Sequence, residues 1–79
     1  MRGRTVVVNV RVANCHRCTG RLYLRVRKEW RNVLMRSSRT GFVGRMPNVP
    51  SGRWIYFVSL KDPRSGLEAH SAMRSIRVR

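Results

Sequence analysis

The sequence is poor in acidic residues, cysteines and long apolar runs, and each shortage excludes a class of protein. Only three of its 79 residues are acidic. No apolar run approaches the roughly 20 residues of a membrane-spanning helix, and the short, alternating apolar stretch near the start does not read as a secretory signal. Two cysteines cannot provide the disulfide framework of a small secreted protein, which favours a reducing compartment. A secreted cationic peptide that acts on membranes is therefore disfavoured.

Positive charge dominates what remains. Eighteen basic residues, sixteen of them arginine, give a formal net charge of +15. Such a charge repels itself and opposes compaction, so a polyanion that binds the folded chain would stabilise it. Guanidinium groups make bidentate contacts to phosphate and stack on bases, which favours nucleic acid as the partner. The hydrophobic content of 42% is too high for a disordered basic tail, so we expect a folded domain with a thin core.

Three segments alternate apolar and polar residues with the period of a β-strand. Residues 5–13 place four valines on one side, residues 21–27 separate leucine and valine from arginine and tyrosine, and residues 53–60 combine aromatic and β-branched residues. Asn14 and Gly20 are turn formers, so the first two segments are expected to form an antiparallel hairpin. The last segment would direct Trp54, Tyr56, Val58 and Leu60 to the core.

The remaining segments are shorter or interrupted. Residues 31–36 predict a short strand, and the glycines and prolines that follow predict a long loop over 37–52, with a brief extended piece at Phe42 and Val43 as an alternative within it. Asp62 before a proline predicts the start of a helix of one or two turns that would end by Met73. The alternating tail from Arg74 either adds an edge strand or lies extended along an acidic surface.

Cys15 and Cys18 form a CxxC knuckle, a spacing that lets two thiolates reach one tetrahedral zinc ion from a tight turn. A structural zinc site needs four ligands, and the chain offers only His16 and His70 in addition. We therefore predict no metal and no other cofactor, with zinc at Cys15 and Cys18 as the alternative. Strands rather than a helix N-terminus flank the knuckle, which disfavours thiol–disulfide catalysis. The scattered carboxylates and histidines make no other catalytic set, so the protein is not expected to be an enzyme.

The second strand and the segment after it carry basic residues interleaved with aromatic residues, and this pattern predicts one basic face. The predicted face consists of Arg21, Tyr23, Arg25, Arg27, Lys28, Trp30 and Arg31. Guanidinium groups bind phosphates, and tyrosine or tryptophan rings stack on unpaired bases. The three acids are too few to pair with these charges inside the chain, so contact with nucleic acid is the expected explanation. Trp54 is expected in the core, whereas Trp30 suits core and surface equally. The predicted RNA-binding residues are Arg2, Arg4, Arg11, Arg17, Arg21, Tyr23, Arg25, Arg27, Lys28, Trp30, Arg31, Arg36, Arg39, Arg45 and Arg53.

The valine-rich first strand, the CHRCTG knuckle and the RLYLRVRK strand at 21–28 resemble the large-subunit ribosomal protein family number thirty-three. The RMPNVPSGRWIYFV segment at 45–58 is similar to the proline-containing turn and third strand of that family. The resemblance covers residues 5–60, but the second cysteine pair of metal-binding members, expected near 47–52, is absent. It implies a three-stranded antiparallel sheet that packs on ribosomal RNA of the large subunit, without catalysis.

Together these features predict a mainly β protein with a small three-stranded antiparallel sheet, zinc-ribbon-like but metal-free, a long loop, a basic tail and a short C-terminal helix. A single RNA-binding domain would span 1–79. Its parts would be the hairpin and knuckle at 5–36, the loop at 37–52, the third strand at 53–60 and a basic extension at 61–79.

The predicted function is that of a structural constituent of the large ribosomal subunit. Its partners would be ribosomal RNA and neighbouring ribosomal proteins, with no membrane and no small-molecule substrate. The dominance of arginine, the extra loops and the missing cysteine pair favour a mitochondrial ribosome over one in a bacterial cytoplasm. The alternative is a small basic regulator of phage type that binds DNA or RNA polymerase.

Overall fold

The computed structural model describes residues 3–12 and 17–79, which form eight β-strands in two antiparallel sheets. The strands are β1 (Arg4–Arg11), β2 (Thr19–Val26), β3 (Glu29–Leu34), β4 (Arg36–Ser37), β5 (Gly41–Val49), β6 (Gly52–Lys61), β7 (Glu68–His70) and β8 (Arg74–Val78). The mainly β, antiparallel class that the alternation predicts is confirmed. Within the described ranges, no helix is long and apolar enough to cross a membrane.

The strands divide unequally between the sheets. The smaller sheet has the order β1-β5-β4, and the larger sheet has the order β3-β2-β6-β7, with β8 also paired to β6. β7 and β8 share one edge of β6, and Ser71 bridges the gap between them. The Val58 N–H donates to the Ser71 hydroxyl, and the Ser71 N–H donates to the Val58 carbonyl, each at 2.8 Å. The tail is thus an edge strand, which was one of the two predicted alternatives.

A thin core lies between the two sheets, in a molecule whose principal extents are 42 × 24 × 16 Å. Alternation buries every second residue of β2, so Leu22 and Leu24 are fully buried against the smaller sheet. Trp54, Tyr56 and Leu60 are half-buried against the core beside buried Val58, which confirms the predicted core face of the third strand. The buried apolar residues are Val6, Val8, Leu22, Leu24, Val26, Met35, Phe42, Met46, Val49, Val58 and Val78.

The predicted hairpin between the first two strands is wrong, because β1 and β2 belong to different sheets. β2 and β3 are joined by the two-residue turn Arg27-Lys28, with Arg27 at a φ of 60°. This local pairing occupies one edge of β2, and β6 occupies the other. β1 therefore pairs with β5 instead, and the three strands predicted as one sheet are distributed over two.

The predicted loop over 37–52 is also wrong for most of its length, since Gly41–Val49 is a strand. A Cβ at Gly41 would collide with the backbone of β1, and one at Gly44 would press against a side chain of β2. Pro47 lies beside a register shift in the β1–β5 ladder, a place where a proline is tolerated. These residues therefore mark close packing and a bulge within a strand, which composition alone does not distinguish from a loop.

The predicted C-terminal helix is absent, and a tight turn leads instead into β7. The Asp62 carboxylate accepts a hydrogen bond from the Arg64 N–H at 2.9 Å, and the Asp62 carbonyl accepts one from the Gly66 N–H at 2.8 Å. Gly66 has a φ of 72°, so the chain turns into the left-handed region before a helix can propagate. The Asp62 side chain thus accepts a backbone hydrogen bond as a helix N-cap would, but the segment that follows is a turn.

Candidate nucleic-acid interface

The outer face of the larger sheet brings together the residues that the sequence singled out on the second strand. Because Leu22 and Leu24 point into the core, Arg21, Tyr23 and Arg25 point outward. The register then sets their neighbours: Tyr23 lies opposite Phe57 of β6, and Arg25 lies opposite Trp30 of β3. Residues that are far apart in the chain thus share one surface.

Four rings form what we call the aromatic platform, defined as Tyr23, Trp30, Phe57 and His70. The Tyr23 and Phe57 rings are stacked, with centroids 4.8 Å apart and an interplanar angle of 6°. The edge-to-face neighbours of Phe57 are Trp30, at 5.4 Å, and His70, at 5.7 Å. Ring pairs of this kind stabilise a sheet by about 0.5–1.5 kcal/mol each beyond the area they bury. Trp30 nevertheless keeps 43% of its surface exposed, so ring surface remains for a further partner.

Cations surround the platform. The Arg21 Nη1 donates to the Asn32 Oδ1 at 3.0 Å, a cross-strand contact that holds this guanidinium along the sheet. Arg53 of β6 lies directly opposite Arg77 of β8, and both point outward because their neighbour Trp54 packs on the core. Like charges placed opposite each other destabilise a sheet. A phosphate between the two guanidiniums would remove that repulsion.

Three of the predicted residues near the second strand lie off this face. Arg27 and Lys28 form the β2–β3 turn at one end of the sheet. Arg31 lies opposite Leu24, on the inner side of β3, where its Nη1 donates to the Asn48 carbonyl at 3.0 Å. The prediction that all of these residues share one basic face is therefore wrong, because the turn and the strand parity direct them elsewhere.

The other predicted arginines are distributed over the molecule. Arg11, Arg36 and Arg45 lie on the outer face of the smaller sheet, since they alternate with or pair beside its buried residues. Arg36 and Arg53 lie in strands, in agreement with the predicted strands over 31–36 and 53–60. Arg45 lies in β5 and not in the predicted loop, and Arg39 lies in the bend between β4 and β5. Arg4 begins β1, and Arg17 is exposed just before β2. Arg2 lies outside the described residues.

Sequence reasoning missed Phe57, His70 and Arg77. Phe57 alternates with Tyr56 and Val58, so once those two were assigned to the core, Phe57 was the aromatic residue left on the outer face of the strand. Arg77 likewise alternates with Ile76 and Val78 in the tail, so it is the residue that remains on the outer face there. No local signal identifies His70, because its place depends on β7 folding back on β6.

The knuckle lies only partly in the described residues, since Cys15 and His16 fall outside them. Cys18 is disulfide-bonded, whereas a zinc site would require its thiolate. Disulfides persist mainly in oxidising compartments, so a disulfide at Cys18 is unexpected in the predicted reducing compartment. In the two described ranges no group of three His, Cys, Asp or Glu side chains could hold a metal ion. His70, the other candidate ligand, contacts Phe57.

No protein-family model, curated protein sequence or solved structure matches this chain. The similarity to the ribosomal protein family therefore depends on its short motifs alone and stays a prediction.

Proposed function

We propose that the protein binds RNA and that the aromatic platform, with the arginines around it, is the interface. The observation that carries this proposal is the position of Trp30, whose side chain is 43% exposed, directly opposite Arg25 and next to the Tyr23–Phe57 stack. Stacking of a base on such a ring contributes about 1–3 kcal/mol, and neighbouring guanidiniums bind the phosphates of the same strand.

Unpaired nucleotides are the form of RNA that this face suits. A base in a duplex is already stacked on both sides, so an aromatic ring reaches it only in a loop, a bulge or a single strand. The described part of the chain also contains no helix that could enter the major groove of a duplex. We therefore expect single-stranded or looped RNA to bind more tightly than duplex DNA or duplex RNA.

Within RNA binding, we propose a structural role in the large ribosomal subunit, in a mitochondrion or alternatively in a bacterium. The support is the distribution of charge. Arginines occupy the outer faces of both sheets, including Arg25 and Arg53 on one and Arg11 and Arg45 on the other. A single short strand of RNA covers one face only, whereas folded ribosomal RNA contacts a small protein from several sides. The same surfaces would leave room for neighbouring ribosomal proteins.

A small nucleic-acid-binding regulator is the second candidate, and the core favours it. Among the residues that the structure describes, eleven apolar ones are buried between the sheets, including the fully buried Leu22, Leu24 and Val49. A chain with its own core is able to fold before it meets its partner. A ribosomal protein does not need to fold on its own, because a protein enclosed by RNA gains stability from that RNA.

The two candidates differ in a binding and fractionation experiment. Fluorescence anisotropy would compare the purified protein on an eight-nucleotide single-stranded RNA, an RNA hairpin, the matching single-stranded DNA and duplex DNA. Tightest binding to the RNA loop or single strand supports the proposal, and a preference for duplex DNA refutes it. Sucrose-gradient sedimentation of a cell extract then separates the two roles: co-sedimentation with large subunits supports the ribosome, and recovery at the top of the gradient supports the regulator.

A further inference from the structure

The fold collects a second set of arginines at one end of the sandwich. β2 ends at Val26, β6 begins at Gly52 opposite Val78, and β1 begins opposite Val49. The register therefore brings the two ends of the described chain, the β2–β3 turn and the β5–β6 turn to the same end. Arginines that are far apart in sequence meet there.

These elements enclose an open groove of about 860 Å³. Its lining residues include four arginines, Arg4, Arg27, Arg31 and Arg79, and no Asp or Glu side chain of the described residues. The end of β5 and the β5–β6 turn form another wall, with Asn48, Val49, Pro50 and Ser51. Four guanidiniums around one space repel one another, and an anion with several oxygens is the ligand that would bind between them.

The position of each arginine is set by the backbone. Arg31 is half-buried and already donates from Nη1 to the Asn48 carbonyl, which fixes its guanidinium at the groove while its other donors remain for a ligand. Arg27 has a φ of 60° in the two-residue turn, which turns it out of the alternation of β2. The groove is thus a built feature of two turns and not a chance meeting of flexible side chains.

The groove adjoins the aromatic platform. Trp30 and Arg25 are the platform-face residues closest along β3 and β2 to the Arg27-Lys28 turn. A nucleic-acid strand that stacks a base on Trp30 reaches the groove with the phosphates next to that base. We propose that the arginine groove binds phosphate groups of the RNA strand whose bases contact the platform. This inference rests on the proposed function and assigns a separate part of the ligand to a separate site.

The test compares two double variants that each remove two positive charges. Arg27→Gln with Arg79→Gln alters the groove, and Lys61→Gln with Arg64→Gln alters exposed residues at the opposite end of the strands. Binding of a fluorescent eight-nucleotide RNA is measured over a range of salt concentrations, with circular dichroism to show that both variants are folded. On a single strand, each phosphate that a protein no longer neutralises lowers the salt slope by about 0.7, so the slope of the groove variant should fall by about 1.4.

The affinity of the groove variant should fall about tenfold or more at low salt, and that of the control variant by much less. Equal decreases in the two variants would overturn the inference and leave RNA binding by the platform intact. The RNA is used with and without a 5′-phosphate: a wild-type preference for the phosphorylated form that the groove variant lacks assigns the terminal phosphate, and equal binding assigns internal phosphates.

A second probe separates this inference from the proposed function. Inorganic pyrophosphate should raise the thermal unfolding midpoint of the wild-type protein and of the control variant more than that of the groove variant. If no RNA binds but pyrophosphate shows this difference, the groove is retained and the proposed function fails. If pyrophosphate stabilises all three proteins equally, and the RNA slopes do not differ, the groove is not a phosphate site.

Discussion

Replacement of Trp30 by leucine measures the contribution of base stacking to RNA binding separately from the contribution of charge. The side chain is 43% exposed and contacts Phe57 edge to face at 5.4 Å. If an RNA base stacks on the free part of the indole, removal of the ring should weaken binding by about 1–3 kcal/mol, or about 5- to 150-fold. The salt dependence should stay unchanged, because tryptophan carries no charge and releases no counterions.

The assay is fluorescence anisotropy of a single-stranded RNA at four salt concentrations. Leu34→Ala is the matched control: Leu34 lies on the same strand, faces the same way and is 63% exposed, but it has no ring. Arg25→Gln is the opposite control, since it removes a charge next to the same ring and should lower the salt slope by about 0.7. The three variants together separate apolar contact, stacking and phosphate binding.

Stability must be measured beside affinity, because Trp30→Leu also removes a ring contact. That contact stabilises the sheet by about 0.5–1.5 kcal/mol, so the midpoint of thermal unfolding should fall modestly. A folded Trp30 variant that binds RNA as tightly as the wild type would refute the assignment of the platform as a stacking surface. So would a decrease in affinity equal to that of the Leu34 variant.

Four further predictions concern the fold and its charges. Arg77→Glu turns the like-charge pair with Arg53 into an opposite pair, so it should stabilise the free protein by about 0.2–1 kcal/mol in urea unfolding at low salt and weaken RNA binding. Leu24→Ala should cost about 2–5 kcal/mol and leave a protein this small largely unfolded by circular dichroism. Gly41→Ala should destabilise the fold by more than about 1 kcal/mol, since the new Cβ meets the backbone of β1. Because Cys18 is disulfide-bonded, it should react with iodoacetamide only after reduction, as the mass of the protein would show.

The alternation of apolar and polar residues was sufficient to predict β1, β2 and β6 and their buried faces. Residues 21–27 illustrate why: leucine and valine at every second position can be buried only in an extended chain, and β2 occupies Thr19–Val26. Strand pairing was not predictable in the same way. The period of two says which residues share a face, but it says nothing about which strand lies next to which.

Strand pairing depended on segments whose residue types predict a different local structure from the one they adopt. The turn at Arg27-Lys28 contains no glycine, asparagine or proline, and residue 27 adopts a positive φ all the same. The glycines at 41 and 44 suggested a loop and instead allow close packing of a strand. With these two segments misassigned, β1 had no candidate partner except its neighbour along the chain.

The candidate site was predictable in part for the same reason. Arg21, Tyr23 and Arg25 follow from the alternation of one strand. Phe57 joins them only through the β2–β6 register, which is a long-range contact. The arginine groove was not predictable from the sequence, because its members include both ends of the described chain and a turn between two strands.

The core and the candidate interface are parts of the same strands, so the proposed RNA binding would be coupled to folding. On β2 each outward arginine alternates with a buried leucine, and on β8 Arg77 alternates with Ile76 and Val78. An RNA present at one hundred times its dissociation constant adds about 2.7 kcal/mol to the stability of the folded state. The opposed pair Arg53 and Arg77 costs only about 0.2–1 kcal/mol. Under the proposed function the bound state would therefore tolerate several such pairs, whereas the free protein with its thin core has little stability to lose. Such binding would account for a charge of +15 on a fold this small.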